Sequence, residues 1–384
     1  MNKKEVSEIK KLMAPDRSAI TRICGCYVDG EKQKKTELKE AFLSLPQEEM
    51  FKYFEIFRKT LSGTIGKNLI NLDFPLDQEF EDGAQKFLLR LRDSQLKDAA
   101  LLEEFYNKII ESYYYGENYY IILIHGAYDI PKRGSDNIEM EDASDSVYEY
   151  LLCSICPVKL SKAGLCYNTQ NNMIEERIRD WIVEVPDCGF LFPAFHDRNA
   201  DIHSMLYYSK NAKELQDSFI EDLFGCTAPL TAVNQKESFN TLLEETLKDQ
   251  CNFDTVRTIH EKITEQMKEQ ENQENSEPVT LNRNEVKRIL EHAANADIED
   301  FDQVFEESVG ETSELLASNI TNTQKFEIKT PEVTIKVASD RTDLVETKMI
   351  DGVPYLVIQI TDQIEVNGVH VNALKPVSSS DLSE

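Results

Sequence analysis

This chain has one tryptophan in 384 residues and no long apolar run. Its longest aliphatic stretch lies near Tyr119-Tyr120-Ile121-Ile122-Leu123-Ile124. That is far short of the roughly 20 residues a helix needs to cross a bilayer, so no membrane association is expected. Positive charge is also scarce: 42 Lys and Arg stand against 70 Asp and Glu, a formal charge of −28. Self-repulsion of that size favours solubility and opposes unguided binding to nucleic acid or anionic lipid. The opening MNKKEVSEIKKLM lacks the apolar core of a secretory signal. No HExxH or GxSxG occurs. Gly63-Thr64-Ile65-Gly66-Lys67-Asn68 looks like a phosphate loop, but lacks the first glycine at the required distance and the Ser or Thr after Lys.

What is present suits a globular protein: 41% hydrophobic and 29% charged residues, in a chain long enough for two or three domains. The eight cysteines are scattered, which fits reduced thiols in a cytoplasm better than a disulfide scaffold. Charge is uneven. Residues 1–40 hold ten Lys/Arg and seven Asp/Glu, a local +3, whereas 261–314 hold five against sixteen, a local −11. Any contact with a polyanion therefore belongs to the N-terminal half.

The pattern predicts an α+β protein. Residues 1–210 form an N-terminal mixed α/β domain, with a basic helix over 2–13, strands over 18–28, 68–74, 118–127 and 147–160, and helices from Pro46 and over 101–114. A polar strand over 32–38 follows the Asp29-Gly30 turn, and 87–92 is open between helix and strand. A helical segment covers 211–270, a polar linker 271–278, and an acidic helical segment 279–322, opened by an Asn282/Glu285 capping box. From 323 to 374 the period drops to two. Asp351-Gly352 and Asn367-Gly368 divide alternating runs, which predicts a small antiparallel β meander before a frayed tail at 375–384.

Candidate chemistry concentrates in WIVEVPDCGFLFPAFHDRNADIHSMLYY (181–208), where a buried strand leads into a polar cluster. His196, Asp197, Arg198, Asp201 and His203 could position a phosphate, a metal or a hydrolytic water, with Arg198 binding an oxyanion bidentately. The competing reading is a loop in which Asp and Asn bond backbone amides. His125, at the end of its strand, is a further catalytic candidate, or a histidine bonded within the sheet. Cys153, Cys156, Cys166 and Cys188 could supply four zinc thiolates, although Cys166 has no near partner. Buried core thiols are the alternative. No cofactor is called for.

ITRICGCYVDG (20–30), KYFEIFRKTLSGTIGKNLINLDFP (52–75), LCSICPVKLSKAGLCYN (152–168) and GFLFPAFHDRNADIHSMLYY (189–208) together resemble domain-of-unknown-function family 4317, a group of uncharacterised bacterial proteins. That resemblance implies no activity. The order of segments from 206 to 370 is similar to the bacterial nucleoid-associated protein family, with Leu223-Phe224-Gly225-Cys226 as the local match. Members of that family are acidic and associate with DNA, but no binding residue carries over. The expectation is therefore a cytoplasmic, non-enzymatic interaction module, with a protein partner or self-association, and DNA in its nucleoid-associated version. The alternative is a hydrolase or phosphate-binding enzyme using residues 195–203. The 181–208 stretch is expected to close the N-terminal domain, as a hinge or docking surface as readily as a catalytic site.

Overall fold

The computed structural model describes residues 1–80, 82–133, 139–271, 277–310, 314–360 and 364–371. The described residues within 1–238 and 273–278 form one compact unit, and those within 239–272 and 279–384 form another.

In the first unit the helices are α1 (Lys3–Lys11), α2 (Gln47–Thr60), α3 (Ala84–Asp93), α4 (Ala99–Ser112) and α5 (Asp217–Phe224). The strands are β1 (Ile20–Val28), β2 (Lys34–Ala41), β3 (Leu69–Asp73), β4 (Tyr119–Arg133), β5 (Glu139–Leu160), β6 (Leu165–Asn168), β7 (Met173–Glu176), β8 (Trp181–Val183), β9 (Cys188–Phe192), β10 (Ala194–His196), β11 (Asn199–Asp201) and β12 (Ser204–Ser209). Seven strands build one sheet in the order β2-β1-β4-β5-β9-β12-β3, and β8 joins it by pairing with the far end of β5. Every strand pairing in this sheet is antiparallel.

Helices cover both faces of this sheet. On one face Cys24, Cys26, Ile121, Leu123, Cys153, Ile155, Phe190 and Tyr207 pack with Phe87, Leu91, Phe105, Ile109, Phe219 and Phe224 of α3, α4 and α5. On the other, Ile23, Ile122, Ile124, Leu152, Cys156, Leu191 and Leu206 pack with Val6 and Ile9 of α1 and Phe54 and Phe57 of α2. Successive side chains along a strand alternate between faces, so a sheet covered twice needs continuous apolar strands. That is why Ile121-Ile122-Leu123-Ile124 and Gly189-Phe190-Leu191-Phe192 are buried at every position. Phe57 and Phe105 are each fully enclosed, a burial worth about 2–3 kcal/mol apiece.

The segment 87–92, open from sequence, lies in α3, whose Phe87, Leu88 and Leu91 share its buried stripe. The strands over 118–127 and 147–160 are direct neighbours in β4 and β5. Helices α6 (Ala232–Leu247), α7 (Phe253–Glu271), α8 (Arg283–Ala294) and α9 (Phe301–Ser308) follow. The capping box opening α8 is present, with Asn282 accepting from the Glu285 amide and Glu285 from the Asn282 amide. The C-terminal β meander is a succession of antiparallel hairpins, 325–338, 345–358 and 364–371, each paired within itself among the described residues. Asp351-Gly352 and Asn367-Gly368 turn two of them with positive φ at both positions, as that dipeptide pattern requires. The predicted tail lies outside the described residues, as does most of the polar linker.

Gly189 tests the two-sided packing. A Cβ there would sit 2.3 Å from the Cys153 carbonyl oxygen, a backbone atom that cannot swing aside. Gly189→Ala is expected to lose about 2–3 kcal/mol in chemical denaturation. Gly164→Ala, with open space around it, should stay within about 0.5 kcal/mol of wild type.

Candidate functional site

The polar cluster after β9 is a tight hairpin. β10 and β11 pair His196 with Asn199, leaving Asp197 and Arg198 at the turn with φ of 44° and 61°. Both residues are in the left-handed region that a two-residue hairpin turn demands. The peptide before the hairpin, Phe192-Pro193, is cis. Asp201 accepts hydrogen bonds from the His203 amide at 3.0 Å and the Ser204 hydroxyl at 2.6 Å.

Helix α1 holds this turn. Its Asn2/Glu5 capping box leaves Glu5 Oε1 to accept from the Asp197 amide at 3.0 Å. The same oxygen lies 3.6 Å from His196 Nδ1, while His196 Nε2 is 3.7 Å from Asp197 and 3.6 Å from Glu277, which belongs to this unit. Arg198 donates to the Pro131 carbonyl at 2.6 Å and meets Glu8 at 3.4 Å, and Tyr128 donates to that Glu8 oxygen at 3.0 Å. Arg198 is thus committed to a carbonyl and a carboxylate instead of an incoming anion. His203 goes elsewhere: its Nδ1 contacts Glu79 Oε1 at 2.6 Å, and that hydrogen bond raises its pKa. His196 and Arg198 share one helix as their partner, and His203 has a different one.

His125 is in a third environment. It is fully buried in β4, opposite Arg22 and Leu151, with Thr21 Oγ1 2.7 Å from Nδ1. Burial lowers its pKa, which holds the ring neutral. Its contacts are therefore not those of the 195–203 turn.

The cysteine candidates are separated by strand geometry. Residues three apart on a strand point to opposite faces. Cys153 accordingly sits in the core beside α4 and Cys156 in the core beside α2. Cys188 shares the face of Cys153, whereas Cys166 is half-buried on β6. Burial pushes the thiols of Cys153, Cys156 and Cys188 up, the reverse of what a thiolate ligand needs. Among the described residues no group of three or more His, Cys, Asp or Glu is placed to hold a metal ion.

Sequence reasoning assigned no structure to 165–185, and the most unusual surface lies there. Beyond Pro157, the last residue of β5 paired with β4, the chain runs out and returns as a two-stranded ribbon. Leu160 pairs with Trp181, the Ser161 amide donates to Asp180, the Arg177 amide donates to Gly164, and Tyr167 pairs with Ile174. Asn172, with φ of 53°, turns the tip. Leu165, Tyr167, Met173, Ile174, Ile178, Trp181, Ile182, Val183 and Val185 are all exposed, Ile178 at 82% and Trp181 at 57%. By strand alternation they divide between the two faces of the ribbon, Leu165, Tyr167 and Ile174 on one face and Met173 on the other, with Trp181 and Val183 likewise opposite to Ile182. At the root, a hollow of about 500 Å³ is lined by Gly30, Gly116, Glu117, Asn118, Lys159, Leu160 and Trp181. The Thr169-Gln170-Asn171-Asn172 turn between short apolar runs is the signal that could have revealed this hairpin. No helix among the described residues is long and apolar enough to cross a membrane.

Two measurements check these placements. A thiol reagent should label the native protein at Cys166 and Cys251 alone and all eight cysteines after denaturation, since the other six are buried. Histidine NMR titration should place His203 above the usual 6.5 and His125 below it, with Glu79→Gln returning His203 to its ordinary value. The signs of linkage are opposite. His125 binds its proton more readily when unfolded, so its contribution to stability is lost as pH falls from 6.5 toward its lowered value. The His203 contribution is present below 6.5 and is lost as pH rises through its raised value.

Comparison with curated proteins gives no match. The family described as a domain of unknown function, DUF4317, matches residues 1–369. That span includes the stretch from 206 whose segment order suggested the nucleoid-associated likeness. The chain belongs to the DUF4317 family.

Proposed function

We propose that this chain is a non-enzymatic interaction module whose contact element is the ribbon from Val158 to Glu184. The observation that carries the reading is the exposure of eight apolar side chains on a ribbon rooted in a central strand. A two-stranded hairpin alone is marginal in water, and a large apolar surface on one favours an occupied state. The polar candidates point the same way. His196, Arg198 and Asp201 are engaged in fastening a turn to α1 or in closing it, which takes them out of a convergent acid, base and oxyanion donor set at this turn.

The nucleoid-associated version has less support. Of the lysines that make the first 40 residues basic, Lys34 pairs with Glu103, Lys35 with Asp29 and Lys39 with Glu37. The four lysines of α1 remain, with Arg22 and Lys32, a small charge for DNA to meet on a chain of −28.

A photo-crosslinking amino acid at Tyr167, introduced in cells, tests the proposal. One dominant adduct is expected, reduced by Ile174→Glu and absent when the probe replaces Phe51, an exposed residue on α2. Equal diffuse labelling from both positions would overturn it. A gel shift at low salt checks the DNA version, and its expected result is no retardation.

A further inference from the structure

Resting on that reading, we infer that the occupant of the ribbon is a second copy of this chain, packed about a two-fold axis so that each outer half lies on the other ribbon's root. The charge distribution along the ribbon carries the inference. Its outer half, residues 165–176, holds Glu175 and Glu176, paired with Cys166 and Leu165, and no Lys or Arg, a charge of −2. Its root, residues 159–164 with 177–184, holds Lys159, Lys162, Arg177 and Arg179 against Asp180 and Glu184, a charge of +2. A two-fold contact presents the same patch from both sides, so it must be complementary to itself. Two ribbons crossing in opposite directions meet that condition, with the acidic outer half over the basic root at both ends.

Three further features favour this partner. None of Lys159, Lys162, Arg177, Arg179, Glu175 and Glu176 forms an ion pair among the described residues, so none is fixed to a charged partner within the ribbon. The ribbon sums to zero in a chain of −28, making it a place where two such chains can approach with little net repulsion. The hollow beside Trp181 at the root gives the partner's outer half a pocket in which to lodge a side chain, the arrangement in which aromatic anchors contribute most.

Sedimentation equilibrium of the full chain tests the inference. A species of twice 44.1 kDa is expected. Reversing the outer half (Glu175→Lys with Glu176→Lys) or the root (Lys159→Glu with Lys162→Glu) should each weaken dimerisation by about tenfold or more. Combining both reversals should restore it to within about threefold of wild type. Ile174→Glu should give a monomer, with far-UV circular dichroism and melting temperature confirming that the fold of every variant is retained. A monomeric wild type at about 100 μM, or a dimer indifferent to all these substitutions, would overturn the inference. So would a combined variant no tighter than the single reversals. A monomer that still gives one discrete Tyr167 adduct of another mass sinks the second-copy inference and leaves the interaction module standing. Absence of any specific adduct removes both.

Discussion

An antiparallel sheet enclosed by helices on both faces is the constraint from which the rest of the first unit follows. Every side chain of β9 and β12 is buried, so these strands accept apolar residues, small residues and the occasional bonded hydroxyl. Thr60 and Ser154, 2.7 Å apart between α2 and β5, show how a polar pair enters such a core, each satisfying the other. The cysteines enter as small apolar side chains, and the enclosure that admits them raises their pKa values. Groups that look reactive in the sequence are thus made inert by where the sheet puts them.

The same constraint divides the stretch 181–208. Residues 181–183 lie in the exposed ribbon, 188–192 in the doubly covered sheet, and 194–201 in a hairpin fastened to α1. What looked like a strand feeding one site is three consecutive environments. The hairpin's polar residues work locally: Asp197 and Arg198 supply the turn, and Glu5 and Glu8 hold it from a helix almost two hundred positions away.

Much of the architecture could be read from residue patterns, because periodicity and turn chemistry are local. The apolar runs of β4 and β9, the Asp351-Gly352 and Asn367-Gly368 turns and the Asn282 cap carry their own signals. The fates of the candidate residues could not be read, because they depend on partners far away in the chain. Spacing draws Cys153 and Cys156 together, yet the strand period sends them to opposite cores. His196 and His203 are seven positions apart, yet one meets α1 and the other Glu79. The ribbon escaped notice because exposed apolar residues in short runs resemble ordinary core strands until burial is known.

Exposure alone would not single the ribbon out, since Met349, Tyr355 and Val369 of the C-terminal hairpins are exposed as well. Charge separates the two cases. In those hairpins Lys336 pairs with Glu327 and Lys348 with Glu346, so part of their charge is offset within each hairpin. Such surface pairs contribute little stability and leave less field for a partner to read. Along the ribbon, the outer half carries −2 and the root +2, an imbalance that a second copy in the opposite direction would offset. A continuous hydrogen-bonded path from β5 fixes where the ribbon's root leaves the sheet. Apolar surface sets how strongly such an element can bind, and the charge imbalance sets in which orientation, so the orientation is the more specific of the two claims.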